Sequence, residues 1–145
     1  MEKLPQTFML QSALDLQQAE CYYHHFYNHT ERNQTYRKYG YKFIYNRHTF
    51  RKTFYVKNVT GYNISMAEKP EAPVTFSRQI LFSNMRSCMI IRNPDPRKSK
   101  ECYLMVTKER FSKPLTRCRN KFEEHCKGPA FNYTIGGCDK PENHN

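Results

Sequence analysis

Apolar and polar residues alternate with a period of two through much of the chain. Tyr39, Tyr41, Phe43 and Tyr45 fall in one phase, with Gly40, Lys42 and Ile44 in the other. Phe50, Lys52, Phe54 and Val56 share a phase against Arg51, Thr53, Tyr55 and Lys57. Val74, Phe76, Arg78, Ile80 and Phe82 alternate with Thr75, Ser77, Gln79, Leu81 and Ser83. Successive side chains of a strand point to opposite faces, so the pattern predicts half-buried strands over 39–45, 50–57 and 74–83. A helix would scatter the same apolar residues around its axis. Shorter strands are expected at 7–14, 21–27, 62–67, 85–92 and 102–108. Turn-forming residues separate them: Asn46-Arg-His, Asn58 with Gly61, the Pro-containing run 69–73, and Asn93-Pro-Asp-Pro.

The period changes in the last third. Leu115, Cys118, Phe122 and Cys126 are spaced 3, 4 and 4, which places them on one face of a helix over 113–127. Pro114 suits its first turn, and Gly128-Pro129 ends it. A last short strand is expected at 130–135. Many short strands followed by one helix predict an all-β sandwich or antiparallel barrel with a C-terminal helix. At 145 residues the chain is expected to form a single domain over 1–138, with a polar tail at 139–145.

Six cysteines stand at 21, 88, 102, 118, 126 and 138. No Cys-x-x-Cys pair of a structural zinc site occurs, so the even count predicts three disulfides and no metal. Five Asn-x-Ser/Thr triplets begin at Asn28, Asn33, Asn58, Asn63 and Asn132. Together, cysteines and triplets predict a secreted, glycosylated, extracellular protein. The first twenty residues lack the apolar stretch of a signal peptide. No run of 18 apolar residues is present, and no membrane span is expected.

The net charge of +11 is spread along the chain. On a secreted protein it suits a heparan-type glycan or another anionic surface, and it equally describes a solvated basic exterior. No nucleic-acid motif accompanies it, and no nucleic-acid partner is expected. No nucleophile elbow, His-Glu-x-x-His or phosphate loop orders the six histidines, so neither an enzyme nor a cofactor is expected.

Cys102–Val106 (Cys-Tyr-Leu-Met-Val), Pro114, the run Cys118-x-x-x-Phe122-x-x-x-Cys126 and the final Cys138 resemble the C-terminal half of tick salivary lipocalins, which include histamine-binding proteins. The match is best over 73–138 and looser from 21 to 72. The resemblance implies an eight-stranded antiparallel lipocalin-like barrel with a C-terminal helix alongside, monomeric, holding a small host-derived ligand. The N-terminal helix usual in that family is not seen in the sequence. It also implies the pairings Cys21–Cys138, Cys88–Cys118 and Cys102–Cys126. Relatives that block host proteins such as complement or platelet factors provide the alternative, a surface that binds a host protein or glycosaminoglycan.

Inside such a barrel the inward core lines the pocket. The expected lining is Tyr41, Phe43, Phe54, Phe76, Ile80, Tyr103 and Met105, around Arg78. If the Arg78 row faces inward, its guanidinium is an anchor for a carboxylate or sulfate; if outward, it snorkels to water. His24 and His25 are neighbours on a strand and point apart, so they form no metal pair. Amine-binding relatives carry a carboxylate after the aromatic residue of the strand before the helix, where this chain has Leu104. A hydrophobic or anionic lipid is therefore expected in preference to a biogenic amine.

Overall fold

The computed structural model describes residues 6–14, 19–45, 47–84, 86–127 and 130–133. Among these described residues nine strands follow in order: β1 Thr7–Ser12, β2 Ala19–Glu31, β3 Gln34–Tyr45, β4 His48–Thr60, β5 Asn63–Ala67, β6 Phe76–Ser83, β7 Cys88–Arg92, β8 Cys102–Val106 and β9 Phe131–Asn132. Two helices, α1 Lys108–Phe111 and α2 Thr116–His125, lie between β8 and β9.

Each of β1 to β8 pairs antiparallel with the next, and β1 pairs with both β2 and β8. The sheet is therefore a closed eight-stranded antiparallel barrel. β9 takes the part of the β1 edge that β2 leaves open: Thr7 and Phe8 pair with β2, whereas Gln11 and Ser12 pair with Asn132 and Phe131. The β2–β3 ladder breaks register between Glu20 and Tyr23, and Cys21 has φ 51° there. An irregularity of this kind bends a strand and redirects it.

Two apolar clusters explain why β8 is buried throughout. Tyr103 and Met105 join Met9, Phe26, Tyr39, Phe54, Ile64, Met66, Ile80, Met89 and Ile91 inside the barrel. Cys102, Leu104 and Val106 face the other way, with Leu10, Ile90 and the buried face of α2, Cys118 and Phe122. Both faces of β8 are covered, which is why its sequence shows no alternation. Disulfides join Cys88 of β7 to Cys118 and Cys102 of β8 to Cys126. Cys21 is disulfide-bonded as well; Cys138, its expected partner, lies outside the described residues, as does the tail at 139–145.

Several expectations need correction. β2 and β3 extend through residues 28–38 to a two-residue turn at Arg32 and Asn33, both at positive φ. Such a turn matches strand twist, but these ends are polar on both faces and carry no alternation. The row from Val74 to Phe82 is interrupted. Val74 precedes the strand and is 48% exposed. A register shift between Ile80 and Phe82 turns Phe82 outward, where it packs in the helix-facing cluster. Tyr45 and Phe50, which alternation assigns to interior rows, are exposed beside the β3–β4 turn. α2 begins at Thr116, two residues after Pro114, and the exposed four-residue α1 has no counterpart in the sequence reading.

Candidate functional site

The connections after β1, β3, β5 and β7 lie at one end of the barrel, here the upper end. Those after β2, β4 and β6 lie at the lower end. In the upper half, Arg78 of β6 is inward. It pairs across the sheet with Ile64, and both share the interior phase of Ile80. It is buried, and its guanidinium carbon sits 3.9 Å from the centre of the Phe76 ring. One terminal nitrogen donates to the Ser77 carbonyl at 2.8 Å. The other lies 3.6 Å from the carboxylate of Glu101, whose side chain is 27% exposed at the start of β8. Nε of Arg78 has no partner among the described residues.

Aromatic rings surround this ion pair. Phe76 stacks on Phe54 at 4.4 Å with an interplanar angle of 3°. Tyr22 of β2 stacks on Phe43 at 5.1 Å, and Phe43 stacks on Phe50 at 5.1 Å. Tyr22 also reaches Tyr41 and Tyr103, at 6.2 and 6.1 Å. A near-parallel file of rings thus runs from exposed Phe50 into the barrel. Tyr22 and Tyr103 both feel the field of Arg78 and of Glu101, and burial pushes both phenols far above their ordinary range.

His24 lies at the bottom of this half, fully buried. Its Nδ1 is 2.6 Å from the Tyr39 hydroxyl, and its Nε2 has no partner among the described residues. Burial first, and the charge of Arg78 second, hold the imidazole neutral, with a pKa lowered to about 3. Arg78 Nε and His24 Nε2 are thus two buried nitrogens without partners among the described residues. Such atoms carry a cost unless water or a ligand completes them. Among the described residues no three His, Cys, Asp or Glu side chains converge to hold a metal.

The sequence-predicted lining falls into three places. Arg78, Tyr41, Phe54, Phe76 and Tyr103 come together in the upper interior. Phe43 is half-buried at its rim. Met105 and Ile80 lie deeper, and Ile80 also lines a partly open hollow of about 290 Å³ at the lower end, with Val59, Gly61, Tyr62, Ile64, Phe82 and Ser83. Sequence reasoning misses Tyr22 and Glu101 as site residues and leaves Tyr39 and His24 out of the expected lining. Both phases of 22–27 carry aromatic or imidazole rings, so alternation does not say which phase faces inward. Glu101 precedes its strand.

The sequence matches the family described as tick histamine binding protein over residues 6–138. The chain belongs to the tick histamine-binding protein family. Among curated proteins none matches it. Of the solved structures, AM182 in its serotonin complex is similar with a TM-score of 0.61 and 20% identity, over 92% of this chain and 84% of that one. Insecticyanin from the tobacco hornworm Manduca sexta is similar with a TM-score of 0.59 and 10% identity, over 92% and 85%. At such identities the likeness is one of fold. This member of the histamine-binding family is thus a lipocalin-like barrel from a ligand-binding family. One argument for a lipid in preference to an amine is removed: Leu104 faces α2 and not the interior, so an uncharged residue there says nothing about what the barrel holds.

Proposed function

We propose that this barrel, secreted into the host, sequesters a small aromatic amine of histamine or serotonin size in its upper interior. The observation that carries the reading is the carboxylate of Glu101 beside a box of rings formed by Tyr22, Tyr41, Phe43 and Tyr103. An ammonium is held by a carboxylate and by the faces of aromatic rings, and the ligand's own ring stacks among them. The family's description and the serotonin held by AM182 support this class of ligand.

A second reading has its own observation. Arg78 is a buried cation with an unused N–H, suited to a ligand that carries a carboxylate or sulfate. Calorimetric titration of histamine, serotonin and an aromatic carboxylate such as indole-3-acetate separates the two. The amine reading predicts one-to-one binding of an amine that Arg78→Met leaves intact or strengthens, because the repelling charge is gone. Binding of the carboxylate alone, abolished by Arg78→Met, would establish the second reading in its place.

A further inference from the structure

Four of the five Asn-x-Ser/Thr triplets converge on the lower end of the barrel, opposite the ring-lined half. Asn28 lies toward the lower end of β2, and Asn33 occupies the β2–β3 turn. Asn58 and Asn63 flank the β4–β5 turn. All four asparagines are exposed. Within each hairpin the two triplets face each other across the ladder. Thr30 pairs with Thr35, their hydroxyls 3.0 Å apart. Asn58 pairs with Ser65, and Thr60 with Asn63. Asn132, on β9, is the exception.

The same end carries Tyr62, the most exposed large apolar side chain among the described residues. Between Asn58 and Asn63 lie Val59, 39% exposed, and Tyr62, 74% exposed. With Ile64 and Ile80 they line the hollow of about 290 Å³. An apolar hollow open to water favours association with other apolar surfaces.

We infer that the lower end is a glycosylated pole, where N-linked glycans on both hairpins screen this apolar surface. This inference does not depend on the identity of the barrel's ligand. Attachment forms a bond from the Asn amide nitrogen to C1 of the first sugar. It breaks that sugar's bond to the diphosphate of a lipid-linked oligosaccharide donor, and the amide gives up a proton. A sugar attached at Asn63 adjoins Tyr62 in the chain, and the C–H face of a pyranose packs on an aromatic ring. Glycans here lie at the end opposite the ring-lined half.

Secretion of the full chain from insect cells, followed by glycopeptide mapping, tests occupancy. A glycan is expected on at least one asparagine of each hairpin, 28/33 and 58/63. The folded glycoprotein is then trimmed of its whole glycans with an amidase that cleaves the Asn–sugar bond and leaves Asp, and in parallel Asn58→Gln/Asn63→Gln is secreted. Fluorescence of an apolar-surface dye should rise at least twofold in both, with unchanged circular dichroism. If the double variant does not fold, the trimmed protein decides. An unmodified hairpin, or dye fluorescence unchanged after trimming, overturns the inference.

Discussion

Replacing Cys88, Cys102, Cys118 and Cys126 together by alanine is expected to remove about 5 kcal/mol of stability. The two bridges span 30 and 24 residues of sequence. A loop of that length contributes roughly 3–4 kcal/mol by restricting the unfolded chain, and the two loops overlap, so their effects do not add fully. Without them α2 rests on the barrel wall mainly through Phe122, and four core positions lose their sulfur atoms. A domain of this size is stable by about 5–15 kcal/mol in total. The variant should therefore unfold at a far lower urea concentration, or fail to give a cooperative transition at 25 °C. A urea titration followed by circular dichroism measures this. A stability within about 1 kcal/mol of the native protein would show that neither staple restricts the unfolded chain.

Acid should destabilise the barrel through His24. The unfolded imidazole takes its proton near 6.5, whereas the folded one resists protonation down to about 3. Below 6.5 the unfolded chain thus binds a proton that the folded barrel refuses. Stability from this group is complete above pH 6.5 and is lost as pH falls from 6.5 toward 3. The loss is of the order of 4 kcal/mol across that window, since each tenfold difference in proton affinity between the folded and unfolded chain is worth about 1.4 kcal/mol. His24→Gln keeps an acceptor for the Tyr39 hydroxyl and takes no proton. It is expected to be less stable at pH 7 yet to lose much less between pH 7 and pH 4. Thermal melts at both pH values give the comparison. Equal losses in native and variant protein would remove His24 from the acid response.

Much of the barrel is legible in the sequence because its strands obey simple rules. β3 and β4 alternate in sequence through 39–45 and 50–57, and the phase of Tyr39, Tyr41 and Phe54 meets the core, although Lys42 on the other phase is buried and Phe50 is exposed. Legibility fails where the two faces of a strand do not differ in burial. The lower ends of β2 and β3 are wet on both faces, and β8 is dry on both, so neither shows a period of two. The irregularity after Ile80 is invisible to alternation, which continues through it and assigns Phe82 to the wrong side. The disulfide pattern comes from family resemblance, because spacing alone leaves 15 connectivities open among six cysteines.

The site is legible in the same uneven way. Arg78 stands out as one charge in an apolar row, and the structure places it inside. Glu101, its partner, lies just ahead of a strand, where a carboxylate ordinarily belongs to a turn. The pairing of both β6 and β8 with β7 brings Arg78 and the start of β8 within ion-pair distance. Leu104 misleads because its position after an aromatic residue suggests the interior, while the pleat sends it to the helix.

The central claim is that Glu101 holds the ammonium of an aromatic amine inside the barrel. Titrating serotonin by calorimetry into native protein and Glu101→Gln tests it most directly. A hydrogen bond to a charged group is worth about 1.5–3 kcal/mol, so the variant should bind roughly ten- to a hundredfold more weakly at one-to-one stoichiometry. Equal affinity in the two proteins, or no serotonin binding to the native barrel, would contradict the account.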